Sequence, residues 1–303
     1  MAERKTLLIV NPRSGKMKSK RKLYEILNIL TRGGYAVNVF TTAAPKDATQ
    51  IVVNQAANYD LIVCCGGDGT LNEVLSGLIS AGHENIPVGY IPCGTTNDFA
   101  RTLHLPKDIP AATRHILKGR SEIHDVGYIK ERGSGPAKIF FNYIASFGAF
   151  TEVSYATPQK LKNKFGYLAY TINGVKSVGK IKPIHAKVDC CELKIEDNFI
   201  FGGISNSLSV GGIIKMMPDE VSLNDGKFEV LLVKNPQSIS DWKSILNAID
   251  SQTFDGNGVF FFKTSHIELE FDYPVPFTND GEFAGEYKHA VLGICDKKIT
   301  FIT

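Results

Sequence analysis

The sequence predicts an α/β N-terminal domain followed by a C-terminal antiparallel β-sandwich domain. Apolar runs typical of buried strands alternate with helical patterns through the first third of the chain, whereas short strand-like segments dominate after about residue 129. The 303 residues also suffice for about two domains. We therefore expect a nucleotide-binding domain over residues 1–129 and a β-rich acceptor domain over residues 130–296, and the final strand near 297–303 can return to the first domain.

Composition excludes several classes of protein. Hydrophobic residues make up 43% of the chain and charged residues 21%, which excludes a mainly disordered, collagenous or coiled-coil architecture. The net charge of only +3 argues against a dedicated nucleic-acid binder. No apolar run of spanning length and no signal-peptide core is evident, so we expect a cytoplasmic protein. The six cysteines lack C-x-x-C spacing and are expected to be small buried residues.

Four strands and three helices alternate in the first part of the chain, which predicts a parallel sheet with flanking helices. Parallel strands joined by helices need right-handed crossovers, and such sheets bind ligands at the carboxyl ends of their strands. The predicted strands cover residues 5–10, 36–41, 61–65 and 87–91, and the predicted helices run from 23 to the glycines at 33–34, from Pro45 to 55, and over 71–79.

The second part of the chain reads as an antiparallel sandwich or barrel, entered through a loop rich in Gly, Ser and Pro at 131–138. Two helical patterns, at 160–177 and 240–249, interrupt the strands. A last strand at 298–302 can pair in either domain. The other predicted strands cover 138–145, 184–193, 199–205, 228–233, 259–263, 266–271 and 289–295.

The sharpest functional signal is the sequence Gly-Gly-Asp-Gly-Thr at 66–70, between a buried strand and a helix. Its glycines allow a sharp turn and a close approach to a ligand, and the following helix offers unpaired N–H groups to an anion. Thr70 can cap that helix, and Asp68 can hold a metal ion directly or through water. The pattern predicts a phosphate site; the alternative is an ordinary strand-to-helix turn.

Two further polar loops follow the first and fourth strands, at 11–16 and 92–99. Each alone is a routine loop, but three such loops at one edge of a parallel sheet predict a nucleotide-sized cleft. The chain has no Walker-type G-x-x-x-x-G-K-[ST] sequence and no G-x-G-x-x-G after the first strand, which argues against those two nucleotide sites.

The ordered set of motifs resembles the diacylglycerol kinase catalytic-domain family of bacterial soluble lipid kinases, over nearly the whole chain. The Gly-Gly-Asp-Gly-Thr loop alone is shared with NAD kinases and phosphofructokinases, so the resemblance depends on the complete set. Thr96 departs from the glycine usual in the family. The motifs are NPRSGK at 11–16, GGDGTLNEV at 66–74, PCGTTNDFAR at 92–101, VGGIIKMMPDEVSLNDGKFEVLLV at 210–233 and DGE at 280–282.

The resemblance implies a two-domain lipid kinase whose N-terminal domain is NAD-kinase/phosphofructokinase-like and binds Mg²⁺ and ATP, with the acceptor in the cleft between domains. Glu282 matches the family's general base, and Asp125 matches an acid joined with Asp68 to a magnesium–water network. Ser222, Asp225 and Lys227 match a second, structural magnesium site. The implied nucleotide contacts are Asn11, Pro12, Arg13, Ser14, Gly15, Thr42, Gly67, Asp68, Gly69, Thr70, Leu71, Asn72, Glu73 and Thr95.

Judged locally, two of these segments have simpler interpretations. Both 279–281 and 224–226 read Asn-Asp-Gly, which is a strong hairpin-turn signal without any catalytic meaning. Only the family pattern favours a catalytic role for the first and a metal site for the second.

A lipid substrate requires contact with a membrane, which we expect to be reversible because no lipidation motif is evident. Two basic segments, at 16–22 and 160–164, are candidates for attraction to anionic lipids; the alternative is a solvated charged face. The expected activity is ATP-dependent phosphorylation of diacylglycerol to phosphatidic acid, with no nucleic-acid partner and a homodimer suggested by family likeness. The rivals are a kinase of a sphingoid base, polyprenol or soluble polyol, and a non-catalytic nucleotide-binding regulator.

Overall fold

The computed structural model divides the chain into two compact units. Unit 1 comprises Met1–Val126 and Cys295–Thr303, and unit 2 comprises Gly127–Ile294. The structure describes residues 4–95, 97–149, 182–207, 222–254, 256 and 258–303, and the backbone of 209–210 and 214–215. The helix predicted at 160–177 and the basic segment at 160–164 lie outside these residues.

Unit 1 begins with alternating strands and helices, as the sequence predicts. The second helix begins at Asp47 rather than at Pro45, and the two helices after the fourth strand were not anticipated. The elements are β1 (Arg4–Val10), α1 (Lys18–Arg32), β2 (Tyr35–Thr41), α2 (Asp47–Gln55), β3 (Leu61–Gly66), α3 (Asp68–Ala81), β4 (Val88–Pro92), α4 (Asp98–Thr102), α5 (Ile109–Lys118) and β5 (Ser121–His124).

Strands predominate among the described residues of unit 2, after which the chain returns to unit 1 with a last strand. Its described elements are β6 (Gly127–Glu131), β7 (Ile139–Phe141), β8 (Ile144–Gly148), β9 (Ile184–Asp189), β10 (Lys194–Ser205), β11 (Ser209–Val210), β12 (Ile214–Lys215), β13 (Phe228–Lys234), α6 (Ile239–Ser251), β14 (Val259–Thr264), β15 (His266–Asn279) and β16 (Glu282–Ile294). The returning strand is β17 (Ile299–Ile302).

The sheet of unit 1 has the order β2-β1-β3-β4-β17-β5. Its first four strands are parallel, β17 is parallel to β4, and β5 is antiparallel to β17. The apolar runs predict this arrangement because parallel strands are covered on both faces. On one face Leu8 and Val63 pack with Ile26 of α1 and Ile116 of α5.

Unit 2 is an antiparallel β-sandwich, in agreement with the prediction. Its main sheet has the order β14-β13-β10-β8-β15-β16-β6-β7, and β9 pairs with both β10 and β15. Several aromatic rings pack together in the core, where the ring of Phe147 contacts those of Phe271 and Phe277 at centroid distances of 5.2 and 5.3 Å. Such aromatic contacts add to the free energy gained from burying the rings.

Three strand predictions in unit 2 were partly wrong. The segment 138–145 forms two strands, β7 and β8, rather than one. The segment 184–193 ends as a strand at Asp189, since Cys190 and Leu193 close a turn through the N–H of Cys190 and the carbonyl of Leu193. The hairpin β15–β16 is much longer than predicted, because two prolines at 274 and 276 concealed the middle of β15.

Two expectations from composition can be compared with the described residues. Five cysteines are buried, as expected, but Cys191 is exposed. Within the described ranges, no helix has the length and apolar character needed to cross a membrane.

A buried carboxylate lies within the sheet of unit 2. Glu229 of β13 is only 1% exposed and stands in register with Ser205 of β10 and Lys263 of β14. Its Oε1 atom lies 3.6 Å from Lys263 Nζ, which is also 3.8 Å from Asp225 Oδ2. Burial is the main cause that raises the pKa of Glu229, to about 7, although the charge of Lys263 opposes the increase.

This environment makes the stability of the protein depend on pH. Folding raises the pKa of Glu229 from 4.5 to about 7, so the native state holds more protons than the unfolded state in that interval. The free energy of unfolding should therefore fall as pH rises from 4.5 to 7, by about 3 kcal/mol from this residue. Glu229→Gln should remove that dependence and be more stable than the wild type at pH 8 but not at pH 4.5.

Urea unfolding at a series of pH values measures the effect as the difference between wild type and variant. Glu270→Gln serves as the control, because Glu270 is exposed and only 4.0 Å from Lys187 in a solvated ion pair. Equal pH slopes for Glu229→Gln and the wild type would contradict the prediction.

Candidate nucleotide site

Three polar loops meet at the carboxyl edge of the unit 1 sheet. They follow β1, β3 and β4, which are neighbours in the sheet. The N–H of Asn11 donates to the carbonyl of Cys65 at 2.9 Å, and the N–H of Cys93 donates to the carbonyl of Gly66 at 2.7 Å. A fourth loop, after β2, joins them where Thr42 N–H donates to the Val10 carbonyl at 3.0 Å. The backbone pairing therefore continues from the strands into the loops.

The loops approach one another so closely that side chains are excluded at two glycines. A Cβ at Gly15, whose φ is +48°, would lie 1.8 Å from the carbonyl oxygen of Cys93. A Cβ at Gly94 would lie 2.7 Å from the Cα of Gly67. Glycine is therefore required where the loop after β4 contacts the other two loops.

A side-chain hydrogen bond also joins the first loop to the Gly-Gly-Asp-Gly-Thr loop. The amide Nδ2 of Asn11 donates to Thr70 Oγ1 at 3.0 Å, and Asn11 Oδ1 accepts from the N–H of Arg13 at 3.0 Å. The prediction that Thr70 caps the following helix was wrong. Gly67 is the N-cap of α3, and Thr70 lies within its first turn with its hydroxyl committed to Asn11.

The amino end of α3 offers main-chain donors at this edge. The first N–H groups of a helix have no partner within it, and in α3 the N–H of Leu71 donates to the Gly67 carbonyl at 3.0 Å. The side chain of Leu71 is fully buried in the core, and Asn72 Oδ1 accepts from Ser76. The residues that can present backbone N–H groups to a phosphate are therefore Asp68, Gly69 and Thr70.

The carboxylate of Asp68 binds the amino end of α4. Its Oδ2 accepts from the N–H of Asp98 at 3.0 Å, and its Oδ1 accepts from the N–H of Phe99 at 3.3 Å and from the hydroxyl of Tyr90 at 3.4 Å. Desolvation and then the charge of Asp98 raise the pKa of Asp68 above its usual value, although these hydrogen bonds oppose the increase. Asp68 therefore connects two of the three loops.

Asp98 was not among the predicted site residues, although it belongs to the same motif as Thr95. Its side chain is partly buried and pairs with Arg101 at 3.1 Å. Two neighbouring carboxylates, Asp68 and Asp98, repel each other, and a divalent cation would relieve that repulsion. Asp68 and Asp98 are therefore candidate ligands for magnesium, although no group of three or more His, Cys, Asp or Glu side chains among the described residues could hold a metal ion.

Glu73, a predicted nucleotide contact, holds the amino end of α2 instead of pointing freely from α3. Its carboxylate accepts from the N–H groups of Lys46 at 2.8 Å and Ala48 at 3.2 Å, and its carbonyl accepts from the Thr49 hydroxyl at 2.9 Å. In the same segment Asp47 Oδ2 accepts from the N–H groups at 43 and 44. Glu73 thereby fixes the loop that contains Thr42.

The remaining predicted contacts differ in exposure. Arg13 and Thr95 are exposed, whereas Pro12 and Ser14 are half-buried. Residue 96, where the sequence departs from the family glycine, lies outside the described residues.

Asp125 lies at the amino edge of the unit 1 sheet, away from the ends of β3 and β4 that precede the loops. Asp125 follows β5, whose last residue, His124, pairs with Ile299 at the start of β17. Further along β17, Phe301 pairs with the first residue of β4, so the start of β17 lies beyond the amino end of β4. The Asp125 side chain is fully buried, and its Oδ1 lies 2.8 Å from Lys298 Nζ. Its predicted link to magnesium stays a prediction.

The predicted base and structural metal residues belong to unit 2. Glu282 is exposed as the first residue of β16 and pairs with Asn279 across a tight turn. In the other Asn-Asp-Gly segment Asp225 Oδ1 accepts from the N–H of Lys227 at 3.0 Å, and the Ser222 hydroxyl donates to Asn224 Oδ1 at 2.9 Å. Both segments are turns, as the local signals predict. In the segment 222–227, carboxylate and main-chain oxygens are the kinds of ligand that magnesium prefers.

Comparison with known proteins identifies the family to which this architecture belongs. Residues 5–129 match the family described as diacylglycerol kinase catalytic domain, and residues 145–296 match the YegS C-terminal NAD kinase beta sandwich-like domain. A diacylglycerol kinase of Bacillus subtilis (strain 168) is 31% identical over 281 residues, which cover 92% of this chain and 89% of the relative. The chain belongs to the diacylglycerol kinase family.

Two further members support the assignment. The diacylglycerol kinase of Staphylococcus aureus (strain MRSA252) is 34% identical over 284 residues, covering 92% of this chain and 86% of the relative. A crystal structure of a proposed diacylglycerol kinase from Bacillus anthracis str. Sterne superposes with a TM-score of 0.79 at 27% identity, covering 98% of this chain and 96% of that one. The chain is thus a kinase of a lipid kinase family, and the predicted family and fold are confirmed.

The contacts of Asp68 lead to a testable prediction for this chain. Asp68→Asn removes the charge but keeps one oxygen that can accept from α4. Because burial raises the pKa of Asp68, losing its charge should leave the fold intact, with a melting temperature within about 5 °C of the wild type. Turnover should fall by roughly 10²-fold, since charge stabilisation is a main contribution to phosphoryl transfer.

Asp108→Asn is the matched control for this experiment. Asp108 also accepts a helix N–H, from Ala111 at 3.0 Å, but at the N-cap of α5, and asparagine is an equally good N-cap. The measurement is kcat at saturating ATP and Mg²⁺. A wild-type kcat for Asp68→Asn would exclude the proposed role of Asp68.

Proposed function

We propose that this member of the diacylglycerol kinase family transfers the γ-phosphoryl group of ATP to the free hydroxyl of diacylglycerol and produces phosphatidic acid. The observation that carries the proposal is the set of hydrogen-bonded loops at the carboxyl edge of unit 1, which meet at the amino end of α3, where Asp68, Gly69 and Thr70 can present main-chain N–H groups. Two diacylglycerol kinases at 31% and 34% identity give the choice of acceptor its support.

ATP binds, in this proposal, at the loops that follow β1, β2, β3 and β4. Backbone N–H groups at the start of α3 bind phosphate oxygens, because a helix amino end favours an anion. Asn11 and Glu73 hold the neighbouring loops in place, so that the donors are oriented before the nucleotide arrives. Thr42 and Thr95 contribute polar groups at the ends of β2 and β4.

Magnesium, when bound, neutralises charge on the phosphate oxygens. Asp68 and the adjacent Asp98 would hold it at the loops, directly or through water, whereas Asp125, at the amino edge of the sheet, does not lie beside them. A second, structural ion would be held by Asp225 with main-chain oxygens of Ser222 and Lys227. The carboxylate of Asp225 lies in an exposed turn, where its Oδ1 accepts from the N–H of Lys227 and its Oδ2 is 3.8 Å from Lys263 Nζ.

Glu282 is the proposed general base. A lipid hydroxyl is a weak nucleophile and needs a carboxylate that accepts its proton as the phosphoryl group is transferred. The side chain of Glu282 is exposed, so it is accessible to a substrate, while its backbone is fixed by pairing with Asn279.

The function is tested with labelled ATP, Mg²⁺ and a panel of acceptors in mixed micelles. The panel contains diacylglycerol, a sphingoid base, a polyprenol and glycerol as a soluble polyol. We expect diacylglycerol to be phosphorylated with the highest kcat/KM, and Glu282→Gln to lower kcat by roughly 10²–10⁴-fold with unchanged ATP affinity.

Glu286→Gln is the control, because Glu286 is an exposed carboxylate on the same strand. Preference for another acceptor would overturn the assignment of diacylglycerol. Nucleotide binding without phosphorylation of any acceptor would instead indicate a non-catalytic regulator. Loss of ATP binding in Glu282→Gln would show that Glu282 is a nucleotide or metal ligand.

An exposed face at the start of α1 is the proposed docking surface for an anionic bilayer. Lys20, Arg21 and Tyr24 are exposed at helical spacing, with Tyr24 83% exposed, and Met17, the N-cap residue just before the helix, is 55% exposed. Apolar and basic side chains on one helix face match the interface of an anionic membrane. Lys22 is also exposed but pairs with Glu25 at 2.9 Å, and the side chains of Lys16 and Lys18 lie outside the described part.

Replacing Lys20 and Arg21 with glutamine should weaken binding to vesicles of phosphatidylglycerol and phosphatidylcholine by about 10- to 30-fold, at roughly 1 kcal/mol per basic residue. Binding of the wild type should also weaken as salt is raised, because exposed charges are screened. Co-sedimentation measures both effects, and the KM for ATP should not change.

The control pair is Lys187→Gln with Lys194→Gln, two exposed lysines of unit 2 that face carboxylates. Equal loss of vesicle binding in both pairs would indicate a general charge effect. No loss in the α1 pair would show that this face is simply solvated.

A further inference from the structure

The turn that precedes Glu282 has an unusual attachment to a distant part of unit 2. It consists of Asn279, Asp280, Gly281 and Glu282, with φ of +49° at Asp280 and +89° at Gly281. Two consecutive left-handed residues are typical of a two-residue hairpin turn, for which asparagine or aspartate followed by glycine is favoured. Turn geometry alone therefore explains an Asn or Asp at position 280, but it does not require a carboxylate.

The carboxylate of Asp280 accepts three successive main-chain N–H groups. Its Oδ1 accepts from Tyr143 and Ile144, both at 2.9 Å, and its Oδ2 accepts from Asn142 at 3.1 Å. The N–H of Asp280 in turn donates to the carbonyl of Ile144 at 2.9 Å. These donors precede Asp280 by more than 130 residues and form the corner between β7 and β8.

Neighbouring side chains strengthen the same attachment. Asn279 Nδ2 donates to the carbonyl of Phe140 at 2.6 Å, and the hydroxyls of Thr278 and Ser146 lie 2.7 Å apart. Hydrogen bonds from N–H groups to an ionised carboxylate are shorter and stronger than those between neutral groups. The tip of the β15–β16 hairpin is thus fixed from one side by the hydrogen bonds of the Asp280 carboxylate with three main-chain N–H groups.

The second Asn-Asp-Gly turn of the chain shows what the sequence alone would produce. Asp225 accepts from the N–H of Lys227, two residues further along its own turn. Such a contact stabilises a turn locally. Asp280 is different because its carboxylate attaches its turn to another segment of the unit.

We propose that Asp280 is a positioning residue for Glu282. The inference rests on the proposed function, in which Glu282 is the general base. Glu282 is exposed and has many rotamers, so its direction depends on the backbone from which it starts. The Asp280 carboxylate fixes that backbone against the β7–β8 corner, and a shift of about 1 Å in a reacting group can lower a rate by about 10²-fold.

Two variants keep the turn while weakening the attachment. Asparagine and glycine both tolerate the left-handed backbone at 280. Asp280→Asn keeps one acceptor oxygen and removes the charge, and Asp280→Gly removes all three side-chain hydrogen bonds. We expect kcat to fall by about 10-fold or more in Asp280→Asn and further in Asp280→Gly, with unchanged KM for ATP.

The double variant Asp280→Asn/Glu282→Gln separates positioning from general stability. If Asp280 acts only through Glu282, the double variant should have the same kcat as Glu282→Gln alone. Asp272→Asn is the control, since Asp272 is an exposed aspartate on the same strand that pairs with His185. Thermal melting and ATP binding are measured for every variant.

The outcomes distinguish this inference from the function on which it rests. Multiplicative losses in the double variant, or a wild-type kcat in folded Asp280→Gly, would overturn the positioning role while leaving a strong effect of Glu282→Gln intact. A wild-type kcat for Glu282→Gln would instead refute the proposed base. If Asp280→Asn fails to fold, the same comparisons are made with Asp280→Gly, and failure of both to fold would show that the role is structural.

Discussion

The parallel pairing of β1, β3 and β4 ends these strands at one level, because Val10, Cys65 and Ile91 lie side by side. The hydrogen bonds and close contacts between the loops at the carboxyl edge depend on this register. It allows the N–H groups of Asn11 and Cys93 to continue the pairing into the loops, and it brings Gly15, Gly67 and Gly94 into backbone contact. A shift by one residue in any of these strands would separate the loops and turn their side chains to the opposite face.

Carboxylates that accept main-chain N–H groups recur in both units. Asp68 holds the start of α4, Glu73 holds the start of α2, and Asp280 holds the β7–β8 corner. Each joins a motif residue to a segment that is distant in sequence. Acidic residues in these motifs thus have an architectural role in addition to any contact with a substrate, and a loss of activity on mutation needs separate controls for each.

Local signals in the sequence were sufficient for much of the fold. The apolar runs that form β1 to β4 and the glycines after β3 are visible within a few residues, so the parallel sheet and the turn between β3 and α3 could be predicted. The long hairpin β15–β16 was underestimated because its prolines oppose a central strand, although a register shift between Glu270 and Val275 accommodates Pro274, and Pro276 is paired with Glu286. The amino end of α5 carries an Asp108 cap and Pro110, which are local signals for the start of a helix.

The candidate site was less predictable, because its contacts join segments that no local pattern relates. The hydrogen bond between Asn11 and Thr70 spans 59 residues, and the contact of Asp280 with Tyr143 spans 137. Only the family motif could nominate Glu282, since its own neighbourhood reads as a turn. The break between β7 and β8 has the same origin, because the N–H groups of that corner are taken by Asp280 rather than by a neighbouring strand.

The position of β17 has a consequence for how the protein matures during synthesis. This strand lies between β4 and β5 in the unit 1 sheet, and Phe301 packs against Phe99 of α4 and His124 of β5. The whole of unit 2 is inserted between β5 and β17. While the ribosome is still translating unit 2, β5 lacks its strand partner and the apolar surface around Phe99 stays uncovered. The first unit to emerge is therefore the last to be completed, and a truncated nascent chain would contain the Gly-Gly-Asp-Gly-Thr loop without the finished sheet that supports it.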